Sequence, residues 1–453
     1  MKRFILVLIV LFLALVILAA CAQPTPAPAV QQSQPQEKSQ EVVFTDVDRI
    51  IAPNYGLPDN WKTLVGDTTK ISHFNYGALN YDPATVRNGD IFQDLTGIEV
   101  DHIVVSFDDM SQKISTALLS KSPTPDMFQI ERHYVKLAKA GLLVNVDDLW
   151  TDELWSHYAD WVKGDLDVDG HYYAVPQLGQ QWGFYYRPSL VSNPPTTKDE
   201  LIEIAQELTN DKMYGYGFAA GDSFSAYESF LSILYMMDGR LLQEDGSLNV
   251  QTPEAEESLQ FLVDLVYKYK VAPPSAAELK ESELGDMFSG GNIAMMGQWD
   301  YHFKRARNPE LSSVADDVEF TVPPSWDKET KGYSLADYEI LAISKYSKNI
   351  GACKLFLDYM RSEQAHTNEF LLEGNNTLVK EVYDRAASAT ELDPQYLQAH
   401  KELANRSVRE NFPEMDKIVD DLGAQIQAAV GGSKTPKEAL AAAQAAINKT
   451  LKK

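Results

Sequence analysis

Catalytic signatures are what this sequence has least of. Its eight histidines are His73, His102, His133, His157, His171, His302, His366 and His400. No two stand at the i, i+4 spacing of a zinc-binding helix, and the HExxH pattern does not occur. Neither a GxSxG nucleophile elbow nor a phosphate-cradling GxxxxGK loop is present. Cysteine is nearly missing as well, with only Cys21 and Cys353 in 453 residues. A disulfide framework is therefore excluded, and stability must come from a large core, which a chain of this length with 44% hydrophobic residues can build. Positive charge is short too. The 40 Lys and Arg stand against 65 Asp and Glu, for a net charge of −25. That balance argues against nucleic acid and anionic lipid headgroups as partners of the body, and solubility accounts for it.

Two chemical readings survive these absences. A carboxylate pair for glycoside hydrolysis stays open, because spacing along a chain does not place two carboxylates across a sugar. "DLDVDG", Asp165 to Gly170, matches the first half of a calcium loop, but the twelfth position holds Pro176 where that loop needs a bidentate Glu. Asp169-Gly170 between apolar flanks is better read as the turn of a β-hairpin.

The N-terminus is an address. Lys2 and Arg3 precede an apolar run from Phe4 to Ala20, which ends in "LAAC" at Leu18 to Cys21. These are the parts of a secretory signal, residues 1–20. The run is close to the lower length limit for a membrane span, the alternative reading. The ending resembles a bacterial lipobox, which implies lipidation of Cys21 and attachment to the bilayer by more than one acyl chain. Residues 21–40 are rich in Pro, Gln and Ser and have no apolar period. Such a tether extends to about 60 Å at most. With Cys21 acylated, Cys353 has no partner, and its helical surroundings predict a core residue. Residues 41–66 mix apolar residues with turn signals at Pro53, Gly56 and Pro58, and are read as an extension packed on the body.

From Lys70 onward strand-like and helix-like segments alternate, which predicts an α/β fold with a mainly parallel sheet. "VRNGDIFQDLTG" is a helix stopped at Gly97. Thr197 and Glu200 have capping-box spacing before the stripe Leu201, Ile204, Ala205, Leu208. Thr435, Pro436 and Glu438 open a last helix in the same way. "NIAMM" reads as a buried strand, Gly297 as the turn at its carboxyl end, and Trp299 as the start of a helix.

Several segments, in order, resemble the extracellular solute-binding proteins of ATP-driven importers, in their maltose-type, sugar-binding branch. They include "DLTGIEV", "TPDMFQI", "DGHYYAVPQLGQQWGFYYRPSLV", "PPTTKDELIEIAQELT", "DMFSGGNIAMMGQW" and "TPKEALAAAQAAIN". The resemblance implies a two-lobed α/β fold of the periplasmic-binding-protein kind. One lobe would be residues 67–177 with 332–400, the other 178–331 with 401–453, joined by hinge segments around a ligand cleft. It implies capture of a carbohydrate by hinge closure and delivery to importer membrane subunits, by a monomer with no cofactor and no enzymatic activity. Sugar rings offer apolar C–H faces and a hydroxyl rim, so stacking aromatics beside amides and carboxylates are needed. Trp299, Trp182, Gln180, Tyr76, Tyr227, Glu131, Tyr333 and Asp300 lie at the positions the resemblance assigns to such contacts. Loss of Trp299 is expected to abolish binding and to leave the ligand-free melting point nearly unchanged. "GYSLADYEILAIS" departs from the pattern in its acidity at Asp337 to Glu339, which keeps a cationic ligand such as a polyamine in play.

Overall fold

The computed structural model describes residues 55–76, 83–130, 133–374, 376–386, 393–412 and 414–452. Cys21, the signal and the tether lie outside these residues. Among the described residues nine strands form one sheet: β1 (Lys70–Tyr76), β2 (Glu99–Val105), β3 (Met127–Ile130), β4 (Ala174–Tyr186), β5 (Tyr214–Gly217), β6 (Ile293–Trp299), β7 (Glu319–Thr321), β8 (Ser334–Ile343) and β9 (Ser407–Val408). The order is β2-β1-β3-β8-β4-β6-β5, with β7 paired to β4 and β9 to β8.

β4 is the long element. Ala174 to Gln181 pair with β8, and Trp182 to Tyr186 pair with β6. The chain thus leaves one lobe along β4 and returns along β8, so the two run antiparallel. This modifies the expectation of a mainly parallel sheet. β1 is parallel to β2 and β3, and β5 to β6, as crossover helices require. The pairings of β4 and β8 with each other and with β3 and β6 are antiparallel, because these strands connect lobes.

The buried apolar residues among those described form two clusters. Ile71, Phe92, Ile114, Phe128, Ile340 and Phe356 belong to the first, and Phe184, Leu234, Leu262, Met295, Leu422 and Leu440 to the second. The first cluster also takes in Met296, Phe303 and Phe320, and the helix Pro394–Ala404 packs on it there. Its Tyr396 stacks on Phe303 at 4.2 Å and stands 6.4 Å from Phe370. Cys353 is fully buried in the first core. The segment from Tyr55 packs there too. The Tyr55 ring meets Tyr359 edge-on at 5.4 Å, and its backbone N–H donates to Gln364 Oε1 at 2.9 Å. A Cβ on Gly351 would fall 1.8 Å from the Leu64 carbonyl oxygen, so a glycine is needed where the helix Trp61–Val65 presses on the helix Ile350–Met360.

Local signals read from the sequence take their expected form. Thr435 Oγ1 accepts the Glu438 N–H at 3.3 Å, and Glu438 Oε2 accepts the Thr435 N–H at 3.0 Å. Thr197 accepts the Glu200 N–H, but the Glu200 carboxylate reaches back one residue further, to the Thr196 N–H at 2.8 Å. Gly97 closes the helix Pro83–Thr96 at φ +76°. Asp169 and Gly170 both have positive φ in a turn bridged by Val168 and His171, while Asp165 pairs with Arg409.

Histidines His302, His366 and His400 are buried, and His102 is half-buried with its ring turned inward. Burial is the first cause holding their imidazoles at about 4, 4, 3 and 3 respectively. A free imidazole titrates near 6.5, so as pH falls the unfolded chain takes up protons before the folded one. The stability each neutral imidazole contributes is whole above pH 6.5 and declines below it until the folded pKa is reached. For His302 that window runs from 6.5 to about 4. We predict that the stability difference between wild type and His302→Gln, from urea unfolding, shifts against wild type by about 1.4 kcal/mol per pH unit across the window. A difference independent of pH would contradict this account.

Candidate functional site

The middle of β4, the end of β6 and the start of β8 converge where the chain passes between lobes. Trp182 and Trp299 are register partners on β4 and β6, and their rings meet edge-to-face at 5.4 Å and 84°. Both are 4% exposed. Two readings of this stretch are corrected. β6 continues through Gly297 to Trp299, and the next helix begins only at His302. Gly297 makes no turn. A Cβ there would lie 2.6 Å from Trp182 Nε1, so the missing side chain is the space the Trp182 indole occupies.

Trp299 Nε1 donates to Glu228 Oε1 at 2.9 Å. Glu228 is 2% exposed on the helix Ser223–Met236. Sequence reasoning passed over it, although a lone acid in the apolar run "YESFLSILYMM" was the available signal. Its neighbour Tyr227 is 3% exposed, and its hydroxyl has no hydrogen-bond partner among the described residues. Burial first, then the charge of Glu410, pushes that phenol well up. Asp337 and Glu228 push the same way, Arg409 opposes, and Tyr227 therefore sits between the Trp299 side and the β8 side of the site.

Asp300 is fully buried. Its Oδ2 accepts the N–H of Gln181 at 3.0 Å and of Asn376 at 3.1 Å, so it joins the crossing strand to the segment after residue 374. His400 Nδ1 completes the set by meeting Gln181 Oε1 at 2.9 Å. Burial holds the Asp300 carboxyl well above the usual range. Gln180 is half-buried and faces Asp337 across the β4–β8 ladder. Tyr333 is half-buried, with the Arg240 guanidinium 4.4 Å and the Lys331 ammonium 4.6 Å from its ring. Tyr76 ends β1, paired in register with Val105, and its side chain lies outside the described residues. Glu131 lies outside them altogether.

The acidic departure on β8 is partly matched, at Asp337. Arg409 donates from Nε to Asp337 at 2.8 Å, pairs also with Asp165 on the helix Asp160–Leu166, and lies 4.6 Å over the Tyr338 ring. Trp161 meets the same ring at 5.3 Å. Further along, His133 Nδ1, just past β3, lies 2.5 Å from Asp416 Oδ2 at the start of the helix Met415–Val430. Among the described residues no group of three His, Cys, Asp or Glu side chains is placed to hold a metal ion. The arrangement offers aromatic surface and hydrogen bonding, which is recognition chemistry.

Asp300→Ala would leave two buried N–H groups without an acceptor. We expect a loss of about 2–6 kcal/mol in chemical denaturation, and a smaller loss for Asp300→Asn, which keeps one oxygen in place. Equal losses would mean that Asp300 acts only by filling space.

A family model described as bacterial extracellular solute-binding protein matches residues 79–367. A maltotriose-binding protein of Pyrococcus abyssi is 28% identical over 206 residues, which are 44% of this chain and 41% of that protein. The chain thus spans less than half the length of that relative. Among solved structures, the GacH receptor of Streptomyces glaucescens, described unliganded and with acarbose, superposes with TM-score 0.75 at 20% identity, over 85% of this chain and 99% of that one. Maltose-bound MalE3 of T. maritima gives 0.72 at 21% identity, over 83% and 98%. At these identities the likeness is one of fold.

Proposed function

The chain belongs to the bacterial extracellular solute-binding proteins, and from that footing we propose that it captures a mono- or oligosaccharide between its lobes and delivers it to the membrane subunits of an ATP-driven importer. One observation carries the reading. An edge-to-face pair of indoles stands at the lobe crossing, and the same buried cluster holds a tyrosine hydroxyl that no described group satisfies. A pyranose supplies what this surface lacks, an apolar face for an indole and hydroxyls for Tyr227 and Gln180. Trp299, Trp182, Tyr227 and Gln180 are the proposed contacts, and Tyr76 and Glu131 are kept as candidates from the sequence. Asp300 and Tyr333 support the crossing instead, the first because it is fully buried and the second because two cations occupy its ring.

Both indoles are nearly closed off here, so a ligand reaches them when the lobes part and is held when they close. A cationic ligand would need carboxylates with charge to spare. Asp337 is already matched by Arg409, which weighs against a polyamine. Acylated Cys21 and the tether of residues 21–40 would hold the body outside the cell membrane.

A thermal-shift panel of sugars on the full chain in mild detergent tests the proposal. A ligand at 100 times its Kd adds about 2.7 kcal/mol of stability. Silence across mono- and oligosaccharides, with a shift for a polyamine, would overturn the sugar reading. Trp299→Ala is expected to abolish the ligand shift. Because Trp299 is 4% exposed and hydrogen-bonded, it is also expected to cost about 3–5 kcal/mol without ligand, in place of the unchanged melting point its sequence position suggested. Trp299→Phe keeps more of the packing and separates the two effects.

A further inference from the structure

An ion pair joins the two apolar clusters from outside the crossing strands. His133 stands three residues past the end of β3 and leads into the helix Tyr134–Lys139, whose Tyr134 and Ala138 belong to the first cluster. Asp416 lies in the first turn of the helix Met415–Val430, whose Ile418, Val419, Leu422 and Ile426 belong to the second. The two side chains meet at 2.5 Å, Nδ1 to Oδ2. Each is held in place from its own side. The Tyr134 hydroxyl donates to the Leu166 carbonyl at 2.8 Å and accepts the Tyr173 N–H at 3.0 Å, and the Leu137 N–H donates to the His133 carbonyl at 3.0 Å. Opposite, Glu414 takes φ +58°, a left-handed turn that costs a glutamate energy, and so directs the chain into the helix that carries Asp416. Lys417 is engaged by Asp421 at 2.9 Å, and Asp416 Oδ1 has no hydrogen-bond partner among the described residues. The Asp416 carboxylate therefore depends on His133.

We propose that His133 and Asp416 are the latch of the ligand cleft, meeting when the lobes close and setting by their separation how fast a bound sugar leaves. In an α/β lobe the ligand lies beyond the carboxyl ends of the parallel strands. β3 runs parallel to β1, and His133 follows its carboxyl end. A bond from His133 to the opposite lobe thus spans the cleft on the ligand's side. The proposal rests on the sugar-binding reading for what is retained, and on geometry alone for the latch.

The tie from Arg409 to Asp165 is of a different kind. Arg409 also holds Asp337 on β8, so it sits on the crossing, where rotation of the lobes moves atoms least, and its side chain is 8% exposed. His133 and Asp416 keep 34% and 30% of their side-chain surface. Water reaches both partners, so the pair opens at small cost, and a pair of this exposure shifts an equilibrium by about fivefold at most. That is enough to move a balance between open and closed lobes and too little to hold the fold. A ligand enclosed beneath the pair leaves only after it parts, whereas a ligand arriving at open lobes does not meet it. The latch therefore acts on release and not on capture.

Two measurements on the full chain in mild detergent test the latch apart from its ligand. The first needs no sugar. Spin labels are placed at Lys113→Cys and Glu256→Cys, exposed positions on helices of the two clusters, in a Cys21→Ser background with Cys353 buried. Pulsed electron–electron resonance then reads the distance between lobes. His133→Ala and Asp416→Ala are each expected to raise the population at longer distance by the same amount, and the double variant no further. A distribution that ignores both changes, or effects that add in the double variant, overturns the latch. The second is stopped-flow binding and release of maltotriose, or of the sugar giving the largest thermal shift. Each single variant is expected to speed release about fivefold without slowing association, and the double variant to match the singles. Slowed association would make the pair a direct contact of the arriving ligand and overturns the latch, as do release rates that are unchanged or that add. The ligand-free melting point is expected to hold in all three variants, and a large fall would make the pair part of the fold instead. If no sugar binds, the spin-label distances still decide the latch, and the failure belongs to the proposed function.

Discussion

Two strands running in opposite directions between the lobes, β4 and β8, are what the rest of the molecule depends on. Each is one continuous hydrogen-bonded element that begins in one core and ends in the other. Ladder hydrogen bonds resist separation of the strands and yield to twist, so such a pair can change the angle between lobes without breaking either core. The groups around it limit where the twist can occur. Asp300 ties the β4 backbone at Gln181 to the Asn376 N–H, and Arg409 ties β8 at Asp337 to Asp165. Both ties bury charge or a carboxyl group, which short-range partners make tolerable: Asp300 Oδ2 accepts two backbone N–H groups and Arg409 meets two carboxylates.

The proposed recognition surface sits on that crossing, and so its aromatic residues would have two duties. Trp182, Trp299 and Tyr227 close the hinge end of the second core, and they are the side chains a ligand would meet. A binding residue on a rigid strand is placed precisely enough to select a ring, but it cannot be changed without a cost in stability. The polar groups divide in the same way. Those that hold the crossing are satisfied from within, as Asp337 is by Arg409. Tyr227 is left with an unmatched hydroxyl where a ligand would lie.

Much of the local structure was legible from spacing. The capping box at Thr435 and Glu438, the helix stop at Gly97 and the hairpin at Asp169-Gly170 need only neighbours within four residues, and the chain carries those neighbours with it. The alternation of strands and helices, the crossing at Gln180 and Trp182 and the family follow from ordered segments. Gly297 was misread because glycine marks turns and close packing equally, and only the position of the Trp182 ring separates the two. Glu228 was missed because its partner, Trp299, stands 71 positions away.

By itself, then, the sequence determined the class of fold, the absence of recognised catalytic motifs and the short list of aromatics worth testing. These are properties of composition, period and order, which a linear chain states directly. Tertiary structure alone decided which acids are partners and which are bare. Asp337 meets an arginine 72 residues on, and Asp300 turns inward to two backbone amides. The charge a ligand would feel is the sum of contacts between distant segments, and no local pattern encodes that sum.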